Sequence, residues 1–274
     1  MTPSIADLLA AARSRIPAAE ARLLIGHALN KSSAWLEAHR EEAVAAPAAN
    51  AIEALIDRRA AGEPIAYLTG EREFYGRPFQ VSPDVLIPRP ETELLVDIAK
   101  TKLGAGSTAN VLDLGAGSGC LAITLALELP RTRVTALDIS PAALDIARTN
   151  AQALGAQLDF FVSDWFAALP PGRFHLIVAN PPYVAAVDPH LEEGDLRFEP
   201  RGALTDHADG LAAIRRIVTE APHWLGDDGW LFIEHGYDQA AAVSALLTAT
   251  GFVTIEQHAD LAGILRVTGG AYRR

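Results

Sequence analysis

Asn110-Val111-Leu112-Asp113-Leu114-Gly115-Ala116-Gly117-Ser118-Gly119-Cys120 changes character halfway along, and that change decides the fold. The first half is a short apolar strand. The second half is a glycine-rich turn opening onto the apolar run Cys120 to Leu129, which reads as a helix closed by Pro130. Strand, turn and helix in this order predict a nest of backbone N–H groups at the helix start, where glycine lets the backbone approach a ligand closely. The spacing is G-x-G-x-G and not the dinucleotide pattern G-x-G-x-x-G. Glycine turns also serve tight strand–helix packing, so this stretch alone names no ligand.

Three more apolar strands follow, each with polar residues at its end. Arg133 to Leu137 runs into Asp138, an acid placed to bind ribose hydroxyls. Capping the next helix suits Ser140 better, because Pro141 stands at its first position. Leu158 to Val162 ends in Ser163-Asp164-Trp165-Phe166, where a polar side chain and an aromatic suit an adenine ring, although Trp165 equally suits a core. Leu176-Ile177-Val178-Ala179 runs into Asn180-Pro181-Pro182-Tyr183. Two prolines fix φ and donate no N–H, so the carbonyls around them point where the backbone dictates. An Asn side-chain oxygen and a proline-flanked carbonyl can accept both hydrogens of one NH2 group. Tyr183 can lay its ring against a planar group held there. Such a turn presents an amino or amide nitrogen as a nucleophile.

From about residue 91 onward, helices alternate with apolar strands, which predicts a mainly parallel sheet with helices on both faces. Trp230–Glu234, after the turn Asp227-Asp228-Gly229, is the expected fifth strand, and Phe252–Glu256 and Leu265–Thr268 would close the sheet. Ligands of such sheets bind outside the carboxyl ends of the strands. The glycine loop, Asp138, Asp164-Trp165 and Asn180 all fall at such ends. Residues 1–70 read instead as all-helical, with amphipathic runs at Ile5–Arg15, Ala18–Leu29, Ser33–Arg40 and Ala48–Ala61. Residues 71–90 suggest a hairpin turning at Gly76, a linker between the two parts.

Composition narrows the function. A net charge of −11 over 274 residues argues against a protein that lives on nucleic-acid phosphates. Arg72, Arg77, Arg89, Arg197 and Arg201 are the candidates for a local basic patch. The single cysteine forms no internal disulfide and fits a reducing cytoplasm; Cys120 reads as a small buried residue. Eight histidines show no metal-ligand spacing, so no metal is expected. No apolar span is long enough to suggest a membrane segment.

The order of glycine loop, acidic strand tip, Ser-Asp-Trp-Phe and Asn-Pro-Pro-Tyr resembles the S-adenosylmethionine-dependent methyltransferases that modify amino or amide nitrogens. Glu63-Pro-Ile-Ala-Tyr-Leu-Thr-Gly70, Leu86-Ile-Pro-Arg-Pro-Glu-Thr-Glu93 and Arg197-Phe-Glu-Pro200 make it most similar to the protein-(glutamine-N5) methyltransferases acting on release factors. The resemblance runs from about Glu63 to the C-terminus. It implies a class I, Rossmann-like seven-stranded sheet, S-adenosylmethionine as cofactor, and a cytoplasmic monomer. It implies a helical substrate-recognition domain over 1–70, a hairpin linker over 71–90 and a catalytic domain over 91–274. Cofactor contacts are implied at Asp113, Gly115, Ala116, Gly117, Ser118, Gly119, Asp138, Asp164, Trp165 and Asn180. Catalysis is implied at Asn180, Pro181 and Tyr183, with Pro182 joining them in holding substrate. The implied substrate is the glutamine of the Gly-Gly-Gln motif in class-I peptide chain release factors. Alternatives are a ribosomal-protein glutamine, an exocyclic amino group of nucleic acid, or a non-enzymatic module on the same fold. One departure is Ile264-Leu265, where the family often carries polar residues before the Arg that is here Arg266.

Overall fold

The computed structural model describes residues 2–273. The chain divides into two compact units. The first holds the residues up to Glu71 together with Glu193–Phe198; the second holds Arg72–Glu192 and everything from Glu199 on.

The first unit is helical: α1 Ile5–Arg13, α2 Ala18–Leu29, α3 Ser33–Ala38, α4 Ala46–Ala60 and α5 Ile65–Thr69. Ser4 starts α1 with a reciprocal cap, its side chain accepting from the Asp7 N–H while the Asp7 carboxylate accepts from the Ser4 N–H. Asn30 ends α2 in the left-handed region, φ 52°. The apolar stripes meet in a core that includes Ile5, Leu9, Leu24, Ile25, Leu36, Ile52 and Ile56. Arg59 of α4 bridges Glu20 of α2 (2.7 Å) and Asp195 (3.0 Å). The returning segment thus shares the unit's ion pairs, and its Arg197 lies where a Cβ on Gly62 would fall. Neither α5 nor this return is among the expected elements.

In the second unit, β1 Glu71–Phe74 and β2 Arg77–Gln80 form the expected hairpin. It is not a free linker: Phe74 and Phe79 are buried in the core of this unit. A 3₁₀ turn, Pro90–Thr92, leads into α6 Glu93–Leu103. The alternation then runs β3 Asn110–Leu114, α7 Cys120–Glu128, β4 Arg133–Asp138, α8 Pro141–Leu154, β5 Asp159–Val162 and β6 Phe174–Ala179. It finishes with α9 Arg201–Leu204, α10 Ala212–Glu220, β7 Leu225–Glu234, α11 Ala240–Ala249, β8 Phe252–Ala259 and β9 Leu265–Tyr272. The seven strands lie in the order β5-β4-β3-β6-β7-β9-β8. β3 to β7 are parallel, and β9 runs antiparallel between β7 and β8.

The central strands β3 and β6 are buried on both faces, which is why they read as continuous apolar runs. Alternate residues serve the two cores: Leu176 and Val178 face one, Ile177 and Ala179 the other. β7 begins five residues earlier than expected, because Asp227-Asp228-Gly229 lies inside the strand as an irregularity, with Asp228 at φ 58°. β8 and β9 likewise outrun the expected limits. Three of the five candidates for a local basic patch are paired with carboxylates: Arg77 with Glu128, Arg89 with Glu199 and Arg201 with Glu192. Among the described residues no helix is long and apolar enough to cross a membrane.

Candidate active site

The glycine loop connects β3 to α7 at the centre of the sheet, where strand order reverses. Gly115, Gly117 and Gly119 all have positive φ (80°, 54°, 80°), which a side chain would resist. At Gly119 a Cβ would also stand 2.8 Å from Ile123 and 3.0 Å from the Ala147 Cβ, so this glycine lets α7 start against α8. Asn150 of α8 holds the loop from behind, its Nδ2 donating to Ser118 O at 2.9 Å.

The expected nest of free N–H groups is absent at four of the five loop positions. Gly115 and Ala116 both donate to Leu137 O at 2.8 Å, Gly117 donates to Asp138 Oδ2 at 2.8 Å, and Gly119 donates to Ala116 O at 2.8 Å. Phosphate would find few unspent donors here. A neutral or cationic ligand sacrifices nothing.

Asp138 ends β4. Beyond Gly117 it accepts the Ser140 N–H at 2.8 Å, while Ser140 itself caps α8, as expected. Burial pushes its pKa up against those hydrogen bonds. Asp113 is different: it is 1% exposed, one oxygen has no partner, and burial pushes it up to about 7. It lies beneath the loop rather than on a surface. Cys120 is buried as expected, its thiol pushed up to about 12.

A cavity of about 610 Å³ opens outside the strand ends. Gly115, Gly117, Asp138, Asp164, Trp165, Asn180 and Pro182 line it. The cavity wall does not include Asp113, Ala116, Ser118, Gly119, Pro181 or Tyr183. Trp165 is half-buried and serves both roles offered for it, packing on the core and walling the cavity. Its backbone is left-handed, φ 51°, held by Ser163 Oγ donating to Trp165 O at 2.6 Å. A Cβ on Gly115 would stand 3.8 Å from the Trp165 ring and 4.0 Å from the Asn180 carbonyl. Three separate strand ends therefore converge around one missing side chain. Asp164 is exposed and accepts Arg216 Nη1 on both oxygens, at 2.8 and 2.9 Å.

Asn180 Nδ2 donates to Thr92 Oγ1 at 3.0 Å, which leaves Oδ1 as the acceptor on the other side of the amide. Pro181 is buried and Pro182 half-buried. The Tyr183 phenol donates to Glu234 Oε1 at 3.3 Å. The turn is braced from behind by Gln239, whose Nε2 donates to Tyr183 O at 3.0 Å and Gly210 O at 3.3 Å. A Cβ on Gly210 would meet Tyr183 O at 2.5 Å. None of Thr92, Gly210, Arg216, Glu234 and Gln239 is among the site residues expected from the sequence. Thr92 lies in the quoted segment Leu86–Glu93 and Glu234 ends the expected fifth strand; the others carry no local signal.

Comparison with known proteins bears on both parts of the chain. A model of the methyltransferase small domain matches residues 90–193, and one of the PrmC N-terminal domain matches residues 4–70. The 16S rRNA N2 G1207 methyltransferase of T. Thermophilus, solved in complex with AdoMet and guanosine, shares the fold at TM-score 0.55 and 22% identity, over 74% of this chain and 50% of that one. The release factor glutamine methyltransferase of Bordetella pertussis is 52% identical over 93% of this chain and 95% of its own length. That of Burkholderia pseudomallei is 56% identical over 97% of this chain and 95% of its own. With both parts of the chain matched and identity this high from end to end, the protein belongs to the release factor glutamine methyltransferase family.

Proposed function

We propose that this enzyme methylates the side-chain amide nitrogen, N5, of the glutamine in the Gly-Gly-Gln motif of class-I release factors, using S-adenosylmethionine, in the cytoplasm. The observation that carries the reading is the Asn180 amide, tied at Nδ2 to Thr92 with Oδ1 left to accept, at the rim of the cavity lined by Gly115 and Trp165.

The cavity suits a nucleoside with a cationic tail. Asp138 keeps lone pairs for ribose hydroxyls, Trp165 offers an aromatic wall, and the loop has spent the N–H groups that phosphate would need. Gly115, Gly117, Asp138 and Trp165 would hold S-adenosylmethionine, with Asp113 supporting the loop from below. When bound, it supplies a methyl group on a sulfonium, already strongly electrophilic.

The protein's task is then the nitrogen. An amide lone pair is delocalised into its carbonyl and is a poor nucleophile. Asn180 Oδ1 and the Pro181 carbonyl accept its two hydrogens and fix its direction. Positioning of this kind contributes several kcal/mol, on the order of ~7 in favourable cases. Those hydrogen bonds strengthen as the nitrogen becomes cationic, which is differential stabilisation of the transition state. Tyr183 packs against the amide plane. No general base is required before transfer, since the proton can leave afterwards.

The test is incubation with S-adenosylmethionine and release factors carrying Gln, Asn or Glu at the motif position, followed by mass mapping. Methylation of the Gln protein alone is expected. Asn is one methylene shorter and misplaces its nitrogen, a loss of about 10²-fold, and Glu has no NH2. DNA and RNA oligonucleotides run alongside; label transferred to them and not to the Gln protein would overturn the reading.

A further inference from the structure

Glu234 is a buried carboxyl for which the proposed chemistry has no direct use. It ends β7, and the register Ala179↔Ile233 places it beside Asn180 on the neighbouring strand. It is 1% exposed. Its Oε1 accepts the Tyr183 phenol at 3.3 Å, Oε2 has no partner, and the nearby Thr92 side chain favours the charged carboxylate. Thr92 is buried too, and its oxygen accepts the Asn180 NH2 at 3.0 Å.

A hydroxyl carries one proton. With the Thr92 oxygen accepting from Asn180, that proton is left to turn toward the nearby Glu234 carboxyl. The chain therefore runs one way, from the Asn180 NH2 to Thr92, and from Thr92 and Tyr183 to Glu234. An ionised carboxylate is the stronger acceptor. It draws the Thr92 proton, which makes the Thr92 oxygen a better acceptor for the Asn180 NH2. In a low-dielectric site such bonds reinforce one another, and the amide shifts electron density onto Oδ1. Oδ1 is the atom that meets the substrate nitrogen as its charge develops.

We propose that Glu234, acting through Thr92 and Tyr183, is the positioning residue that orients the Asn180 amide and polarises its oxygen toward the nitrogen being methylated. The inference rests on the glutamine-amide reading of that site.

Several groups set the charge on Glu234. Burial and Glu91 on the 3₁₀ turn favour the proton; Thr92, Tyr183 and Arg266 of β9 favour the carboxylate, and Cys120 of α7 lies within range of its charge. His235 adjoins it on the chain, held neutral by burial and by Arg266. The balance lies near 7, so the polarised chain forms as pH rises through that value.

The experiment compares wild type with Glu234→Gln, Thr92→Val and Thr92→Ser between about pH 5.5 and 8.5. One readout is methyl transfer to a Gln-bearing release factor. The other is the ¹⁵N side-chain amide resonance of Asn180, followed without substrate. In Glu234→Gln and Thr92→Val, kcat should fall on the order of 10-fold or more while KM for S-adenosylmethionine stays within about 2-fold. Thr92→Ser, which keeps the hydroxyl, should restore the rate. The Asn180 resonance should move with pH around 7 in wild type and Thr92→Ser, and stay flat in the other two. A flat wild-type resonance, or wild-type kcat in Thr92→Val, overturns the proposal. Failure of wild type to methylate the Gln protein would sink the substrate reading, and the resonance would still decide the positioning role.

Discussion

Asp138 and Gly117 are joined by a hydrogen bond of 2.8 Å from the Gly117 N–H to Oδ2, so the acid at the tip of β4 also sets the shape of the glycine loop. Its other oxygen holds Ser140 at the start of α8. The proposed cofactor site and the scaffold thus share one carboxylate.

Replacing Asp138 with Ala should therefore weaken S-adenosylmethionine binding by about 1.5–3 kcal/mol, the range for hydrogen bonds to a charged group. Asp138→Asn should fall between, because its one oxygen serves only one of the two N–H groups. Titration calorimetry decides it. Unchanged affinity in Asp138→Ala would leave the residue a purely structural role.

Asn180→Ala removes the acceptor and keeps the cavity wall of Gly115 and Trp165. Turnover should drop about 10²-fold or more, as for loss of a group acting on transition-state charge. Cofactor affinity should survive largely intact. Near-normal turnover would mean that the nitrogen is held by something other than Asn180.

Gly210 is a test of the loop behind the substrate turn. Its φ is +80°, and a Cβ would stand 2.5 Å from the Tyr183 carbonyl. Gly210→Ala should cost about 1–3 kcal/mol in urea-measured stability through strain and overpacking. It should also lower activity by displacing Tyr183 from Gln239. Full activity in the variant would show that the turn keeps its shape without that bracing.

Buried acids give the fold a pH dependence of definite sign. Asp113 and Glu234 are raised to about 7 from ordinary values of 3.8 and 4.5. Between those limits these two acids hold protons that the unfolded chain has released, so their contribution to stability falls as pH rises, against the opposite contribution of His235, whose pKa burial lowers. The cost is fully present above about 7 and gone below the unfolded values. Chemical denaturation at several pH values across that window should show the decline. Asp113→Asn should flatten it. The same slope in wild type and Asp113→Asn, at unchanged m-value, would mean that Asp113 is not protonated in the folded state.

Much of this was legible locally. Each strand of the parallel sheet is an apolar run ending in a polar residue, and Ser140-Pro141 marks the α8 start without help from distant residues. What escaped the sequence is non-local. Two of the loop N–H groups are consumed by the Leu137 carbonyl and a third by the Asp138 carboxylate, both on the neighbouring strand. Thr92 reaches Asn180 across 88 positions, and Glu234 reaches Tyr183 across 51. Arg77, Arg89 and Arg201 look like parts of a patch only until their carboxylates are found. Asp227-Asp228-Gly229 has turn chemistry, yet the irregularity it makes is absorbed inside β7. α5 is five residues long, too short for a periodic signal to register.

Glu193–Phe198 has a consequence for how this protein can be cut or recombined. The chain crosses between its two units at three places, not one. Removing the first seventy residues would strand Asp195 without Arg59, in the stretch that follows the Asn-Pro-Pro-Tyr turn. No single scission yields a self-contained catalytic half. A chimera that borrows a helical unit from a relative has to borrow these six residues with it, although they lie more than a hundred positions further along the chain.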